Sequence, residues 1–85
     1  MNVNESEPVM SEDDEIALIR EVGLLVRDTR KERCFMQSYL ADEAGISRTF
    51  LSGVERGSQL PSIYTLACLA KALRKKLQIR FVEVE

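Results

Sequence analysis

The stretch from Leu40 to Gly57, LADEAGISRTFLSGVERG, sets two short apolar periodicities on either side of one glycine. Leu40, Ala41 and Ala44 fall on one face of a short helix that begins near Gln37. Gly45 supplies the permissive backbone on which helices end, and Ile46 plugs the corner. Ser47 then restarts the chain as an N-cap for a helix from Arg48 to Arg56, with Leu51 and Val54 facing the core and Gly57 closing it. The outward side of this second helix carries Arg48, Thr49, Ser52 and Arg56 where carbon would be as easy to place.

Working outward, the spacing predicts a helix from about Asp13 to Arg33. Ser11 is its cap, and the acids of EDDE sit in its first turn, where the helix dipole favours them. Ile16, Ile19, Val22 or Gly23, and Val26 make its inward stripe. Leu18, Leu24 and Leu25 form a second apolar edge that meets either the chain's own C-terminal segment or a second subunit. A break at Cys34 to Met36 precedes the Gln37 helix. Beyond the loop SQLP, Ser62 caps a fourth helix with the stripe Ile63, Leu66, Ala67, Leu69, Ala70 and Leu73. In LQIRFVEVE the period changes to two, so Leu77, Ile79 and Phe81 read as one face of a strand. A solitary strand finds its partner either in the same strand of a second copy about a two-fold axis or in MNVN at the start of the chain.

The 85 residues carry 14 acids, 12 bases and no histidine, for a net charge of -2. The sum hides an asymmetry, because six acids and no base lie in residues 1 to 15. The remainder holds 12 bases against 8 acids, a surplus of four positive charges. Fields act within a Debye length of roughly 8 to 10 Å, so the body behaves as mildly basic. Residues 1–10 read as a disordered acidic arm, either a solvating tail or a cover over the basic surface. Cys34 and Cys68 lack metal-ligand spacing and are expected as semi-buried thiols, with a redox switch as the alternative. No histidine, metal constellation or glycine-rich phosphate loop is available, so no enzyme and no cofactor are expected. No segment approaches the roughly 20 apolar residues that span a bilayer, so no membrane partner is expected and the location is read as cytoplasmic.

Two short helices about a glycine corner, the second polar on its outer face, is the form in which a helix is offered to the DNA major groove. The run from Val22 to Leu73, VGLLVRDTRKERCFMQSYLADEAGISRTFLSGVERGSQLPSIYTLACLAKAL, resembles the lambda-repressor-like, Xre-type helix-turn-helix family over about 50 of the 85 residues. Q-x-x-L-A-x-x-A-G-I-S and F-L-S-x-V-E-R-G, at the right separation, are its specific pieces. Three positions depart from the pattern. Met36 stands where a Ser or Thr cap is usual, Cys34 where Gly is common, and Gly53 where a larger residue stands.

The resemblance implies an all-α, lambda-repressor-like bundle of four to five helices. With the Ser11 cap and the terminal alternation added, the domain is expected over 11–76, with a C-terminal dimerisation strand at 77–85 pairing across a homodimer. It further implies double-stranded DNA as partner. Arg48, Thr49, Ser52 and Gly53 would read bases, since Arg matches guanine N7 and O6 and the Thr methyl matches that of thymine. Gln37, Ser47, Phe50, Arg33, Arg56 and Ser58 would contact the backbone. Gln37 has the alternative of bracing the third helix, and Arg30 is expected to pair with Glu55 as scaffold. Lys71, Arg74, Lys75 and Lys76 are a solvated helix end or a second backbone contact. Leu77, Ile79, Phe81, Leu18 and Leu25 would form the dimer interface.

The function implied is a sequence-specific transcriptional regulator, an autorepressor on a palindromic operator. The terminal strand and RTFLSGVERG also resemble the HipB-type antitoxins, which implies a kinase-like toxin as a further partner. A protein-interaction module on a helix-turn-helix scaffold is the other alternative.

Overall fold

The first helix starts where the carboxylates accumulate. In the computed structural model, which describes residues 9–84, extended Ser11 accepts from the N–H of Asp14 at 3.0 Å and opens α1 (Glu12–Glu32) on Glu12, Asp13, Asp14 and Glu15. Four acids at the positive end of a helix of about 31 Å are favoured by its dipole. After Cys34 to Met36 come α2 (Gln37–Ala44), α3 (Arg48–Arg56) and α4 (Ile63–Ala72). These are the helices among the described residues, and the architecture is all-α. Ser47 and Ser62 cap α3 and α4 by accepting from Phe50 N–H and Thr65 N–H, each at 3.0 Å. Met36 gives α2 no side-chain cap.

Each helix ends through one left-handed residue: Cys34 (φ 60°), Gly45 (75°), Gly57 (79°) and Arg74 (62°). The same pair of bonds recurs at all four. The left-handed residue's N–H donates three residues back, to Lys31, Asp42, Val54 and Lys71 carbonyls. The following N–H donates five back, to Arg30, Ala41, Gly53 and Ala70. This satisfies carbonyls that a helix end otherwise leaves unpaired. Helices of eight to ten residues, as α2 to α4 are, do not hold in isolation, so these ends and the shared core must hold them.

That core is Val26, Leu40, Ala41, Ala44, Leu51, Val54, Leu69 and Leu73. Leu40, Leu51, Val54 and Leu69 are at most 1% exposed, and burying each contributes about 1.5–3 kcal/mol. The backbone of α1 crosses that of α3 at Gly23. A Cβ there would overlap the Val54 carbonyl oxygen and sit 3.2 Å from that of Glu55. Only a residue without a side chain permits this approach.

Several expectations are corrected. In α1 only Gly23 and Val26 are buried, while Ile16 is 43% exposed, because the described residues leave the first half of the helix largely uncovered. In α4, Ile63 and Ala67 are exposed, and the buried side is Leu69 with Leu73. Cys34 is exposed, and Cys68 is half-buried against the core. No strand forms among the described residues. From Lys75 to Val84 the chain carries no regular structure, with Ile79 and Phe81 exposed, because a strand needs a neighbouring backbone to bond and the described residues offer it none. Leu77 instead lines an apolar groove with Leu25, Thr29, Leu66 and Ala70. Leu25 thus lines the same groove as the chain's own C-terminal segment, one of the two partners weighed for it, while remaining largely exposed. The MNVN alternative and most of the acidic arm lie outside the described residues.

Two substitutions test this account. Gly23→Ala is expected to destabilise the domain by about 2 kcal/mol or more through overpacking at the α1–α3 crossing. Cys34→Gly should stabilise it by about 0.5–1 kcal/mol, the relief of a left-handed L-residue less glycine's extra chain entropy. Urea unfolding monitored by circular dichroism reads both.

Candidate nucleic-acid interface

The site is built outward from one buried carboxylate. Glu55 on α3 is 6% exposed. It accepts from Arg30 of α1 through both oxygens, Nε to Oε2 at 2.8 Å and Nη2 to Oε1 at 2.9 Å. Arg30 Nη1 also donates to the Phe35 carbonyl at 2.8 Å, so one guanidinium ties α1, α3 and the entry to α2 together. The expected scaffold pair is thus present, and it is bidentate, the strongest geometry available to these groups.

Gln37 extends the pair to the surface. Its Nε2 donates to Glu55 Oε1 at 3.0 Å, and its Oε1 accepts from Arg48 Nη1 at 3.1 Å. The amide has no choice of direction. An ionised carboxylate only accepts, so the NH2 must face Glu55 and the oxygen must face out, where a guanidinium can reach it. Gln37 therefore braces the third helix, one of its two expected roles, and the position of Arg48 is coupled to the buried pair. Burial alone would push the Glu55 carboxyl up; the bonds from Arg30 and Gln37, with the charges of Arg30 and Arg27, outweigh it and hold the group below its ordinary 4.5.

On the outer side of α3, Arg48, Thr49 and Arg56 are exposed and Ser52 is half-exposed. Arg56 lies back along the helix, its Nε donating to the Ser52 carbonyl at 3.3 Å. Ser47 holds the cap, and Ser58 Oγ donates to the Gly53 carbonyl at 3.1 Å. The base-reading role expected of Gly53 needs correction. Gly53 is buried under Ser58 and Gln59 of the following loop and offers no side chain. Phe50 packs against the core beside Ile46. Arg33 stands apart, its Nη2 reaching toward the Arg74 carbonyl at 3.5 Å at the end of α4.

The structure also groups residues that the sequence reading did not single out. Arg20, Arg27 and Lys31 of α1 and Arg56 of α3 surround Leu24 in one open cationic depression beside Gln37. The spacing of seven and four residues along α1 was available as a signal, but only the α1–α3 crossing joins that stripe to Arg56.

The comparisons agree with this geometry. The family model HTH_3, Helix-turn-helix, matches residues 26–79. A 10 kDa protein of the ImmF control region of Bacillus phage phi105 is 38% identical over 60 residues, covering 71% of this chain and 67% of that protein. The restriction-modification controller protein C.AhdI from Aeromonas hydrophila superposes with a TM-score of 0.69 at 32% identity, covering 71% of this chain and 91% of its own. The controller protein C.Esp1396I, as a tetramer in complex with its natural 35 base-pair operator, matches with a TM-score of 0.66 at 30% identity, over 69% of this chain and 78% of its own. The chain belongs to the helix-turn-helix family. These relatives come from a phage and from restriction-modification systems, and the HipB-type subgroup draws no confirmation from them.

Glu55→Gln is expected to cost about 3–5 kcal/mol at neutral pH by leaving Arg30 without its charge partner. The parent should also lose stability that the variant does not. A carboxyl whose value is lower folded than unfolded contributes in full above about pH 4.5 and loses that contribution as pH falls through the folded value. Unfolding curves collected from pH 6 to pH 3 compare the two.

Proposed function

We propose that the chain is a sequence-specific DNA-binding transcriptional regulator that acts as a homodimer on a palindromic operator, most simply that of its own gene. The observation that carries this reading is the polar chain from Arg30 through Glu55 and Gln37 to Arg48, which couples the outer surface of α3 to the core. A helix held in this way presents Arg48, Thr49 and Ser52 to a major groove with little conformational entropy left to lose. Arg48 and Thr49 read base edges. Ser47, Arg56 and Ser58 hold the sugar-phosphate backbone and set register, Gln37 braces α3 behind them, and Phe50 supports the corner from within.

The dimer is proposed to form through the apolar residues left uncovered in one protomer, Leu18, Leu25, Ile79 and Phe81, together with Leu77. That C.Esp1396I occurs as a tetramer in complex with its operator supports, in outline, DNA binding by an oligomer. Membership of a helix-turn-helix family supports a location where DNA is, the cytoplasm, and supports a binding protein over an enzyme. The antitoxin alternative and its kinase-like partner have no support from the relatives named above.

Fluorescence anisotropy with DNA from upstream of the gene tests the proposal. Arg48→Ala and Thr49→Ala should each lower discrimination between operator and random DNA by about 1–3 kcal/mol, while leaving the circular dichroism spectrum unchanged. The logarithm of affinity should fall linearly with the logarithm of salt concentration, as counterion release requires. Parent-like binding by both variants, or failure to bind any of the DNA, would contradict it.

A further inference from the structure

The correction at Gly53 exposes a second feature of the same face. Gly53 borders the exposed arc of α3, one turn after Thr49 and next to Ser52, and the chain has put no side chain there. The space is filled from elsewhere. A Cβ on Gly53 would lie 2.6 Å from Gln59 Cγ and 3.5 Å from Gln59 Cβ. The loop that delivers Gln59 is clamped, because the Gly53 carbonyl accepts from Ser58 N–H at 2.9 Å, Ser58 Oγ at 3.1 Å and Gln59 N–H at 3.3 Å. Gln59 is nonetheless exposed as a residue, although its aliphatic stem lies against the glycine.

We propose that Gln59 is a specificity-determining residue, standing in for the side chain that Gly53 lacks and reading an adenine in the operator half-site. The inference rests on the DNA-binding reading above. A carboxamide carries a donor and an acceptor side by side and pairs with the N7 and N6 edge of adenine, which a hydroxyl or a methyl cannot do in two bonds. Three bonds to one carbonyl hold the Gln59 backbone against α3, so the amide approaches a base edge from a defined direction. Glycine at 53 is the condition for this: any larger residue displaces the glutamine stem.

Selection of bound sequences from a randomised DNA pool, run in parallel on the parent and on Gln59→Ala, Gln59→Glu and Gly53→Ala, tests the assignment. The parent should select a motif with an adenine preferred by about five-fold or more at one position of each half-site. Gln59→Ala should lose that preference alone and keep the rest of the motif. Gln59→Glu should exchange it for cytosine, whose N4 amine donates to a carboxylate. Gly53→Ala should weaken the same position with Gln59 still present. If Gln59→Ala and Gln59→Glu select the parent motif unchanged, the assignment of Gln59 is overturned and the DNA-binding reading stands. If the parent selects no motif, both are overturned together.

Discussion

Among the described residues one buried ion pair fixes how α1, α3 and the entry to α2 meet. Arg30 and Glu55 meet through two parallel bonds between α1 and α3, and the third arm of the same guanidinium holds the Phe35 carbonyl just before α2 begins. A buried pair of this kind repays its desolvation only when geometry is good and the remaining donors and acceptors are satisfied. Here they are, since no buried side-chain nitrogen or oxygen lacks a partner among the described residues. The pair can close because Gly23, about two turns back along α1, lets the two helix backbones touch. A larger residue at 23 would separate α1 from α3 and lengthen both ionic bonds.

The same pair links stability to the outer surface. Glu55 accepts from Gln37 as well as from Arg30, and Gln37 in turn receives Arg48. The buried charge of Glu55 is thus linked through one residue, Gln37, to a guanidinium at the surface. Such a chain narrows the directions in which Arg48 points, and it does so without placing carbon under the residue. The interior of α3 carries the scaffold, and its exterior is left free for chemistry. The loop after α3 contributes to that exterior too, because it is bonded to the helix and not only connected to it.

Small size is met here by economical helix ends. All four helices close through one left-handed residue and the same two hydrogen bonds, although two of those residues, Cys34 and Arg74, are not glycine and bear the strain of a Cβ in that region. Together with Met36, which leaves α2 without a side-chain cap, they mark places where the sequence departs from the most stable choice. The eight-residue core tolerates these departures because its largest members exclude solvent almost completely.

Four helices where four to five were expected, the bounds of the first three to within about a residue, the caps at Ser11, Ser47 and Ser62, and the glycine corners were legible in the sequence. Each is decided by interactions within four or five residues along the chain, where spacing and side-chain chemistry suffice. The Arg30–Glu55 pair was legible as well, through resemblance and not through spacing. Exposure of Ile16 and Ile63 was not legible, because periodicity shows which residues share a face and not whether another helix lies against it. Nor was the fate of Leu77 to Val84, whose alternation describes a strand only if a second backbone lies beside it. The burial of Gly53 beneath Gln59 likewise depends on a loop folding back across a helix, a contact between residues that local pattern does not relate. The sequence by itself determined the helices and the chemistry they carry; tertiary structure decided which faces are covered, because burial belongs to pairs of elements and a pattern belongs to one.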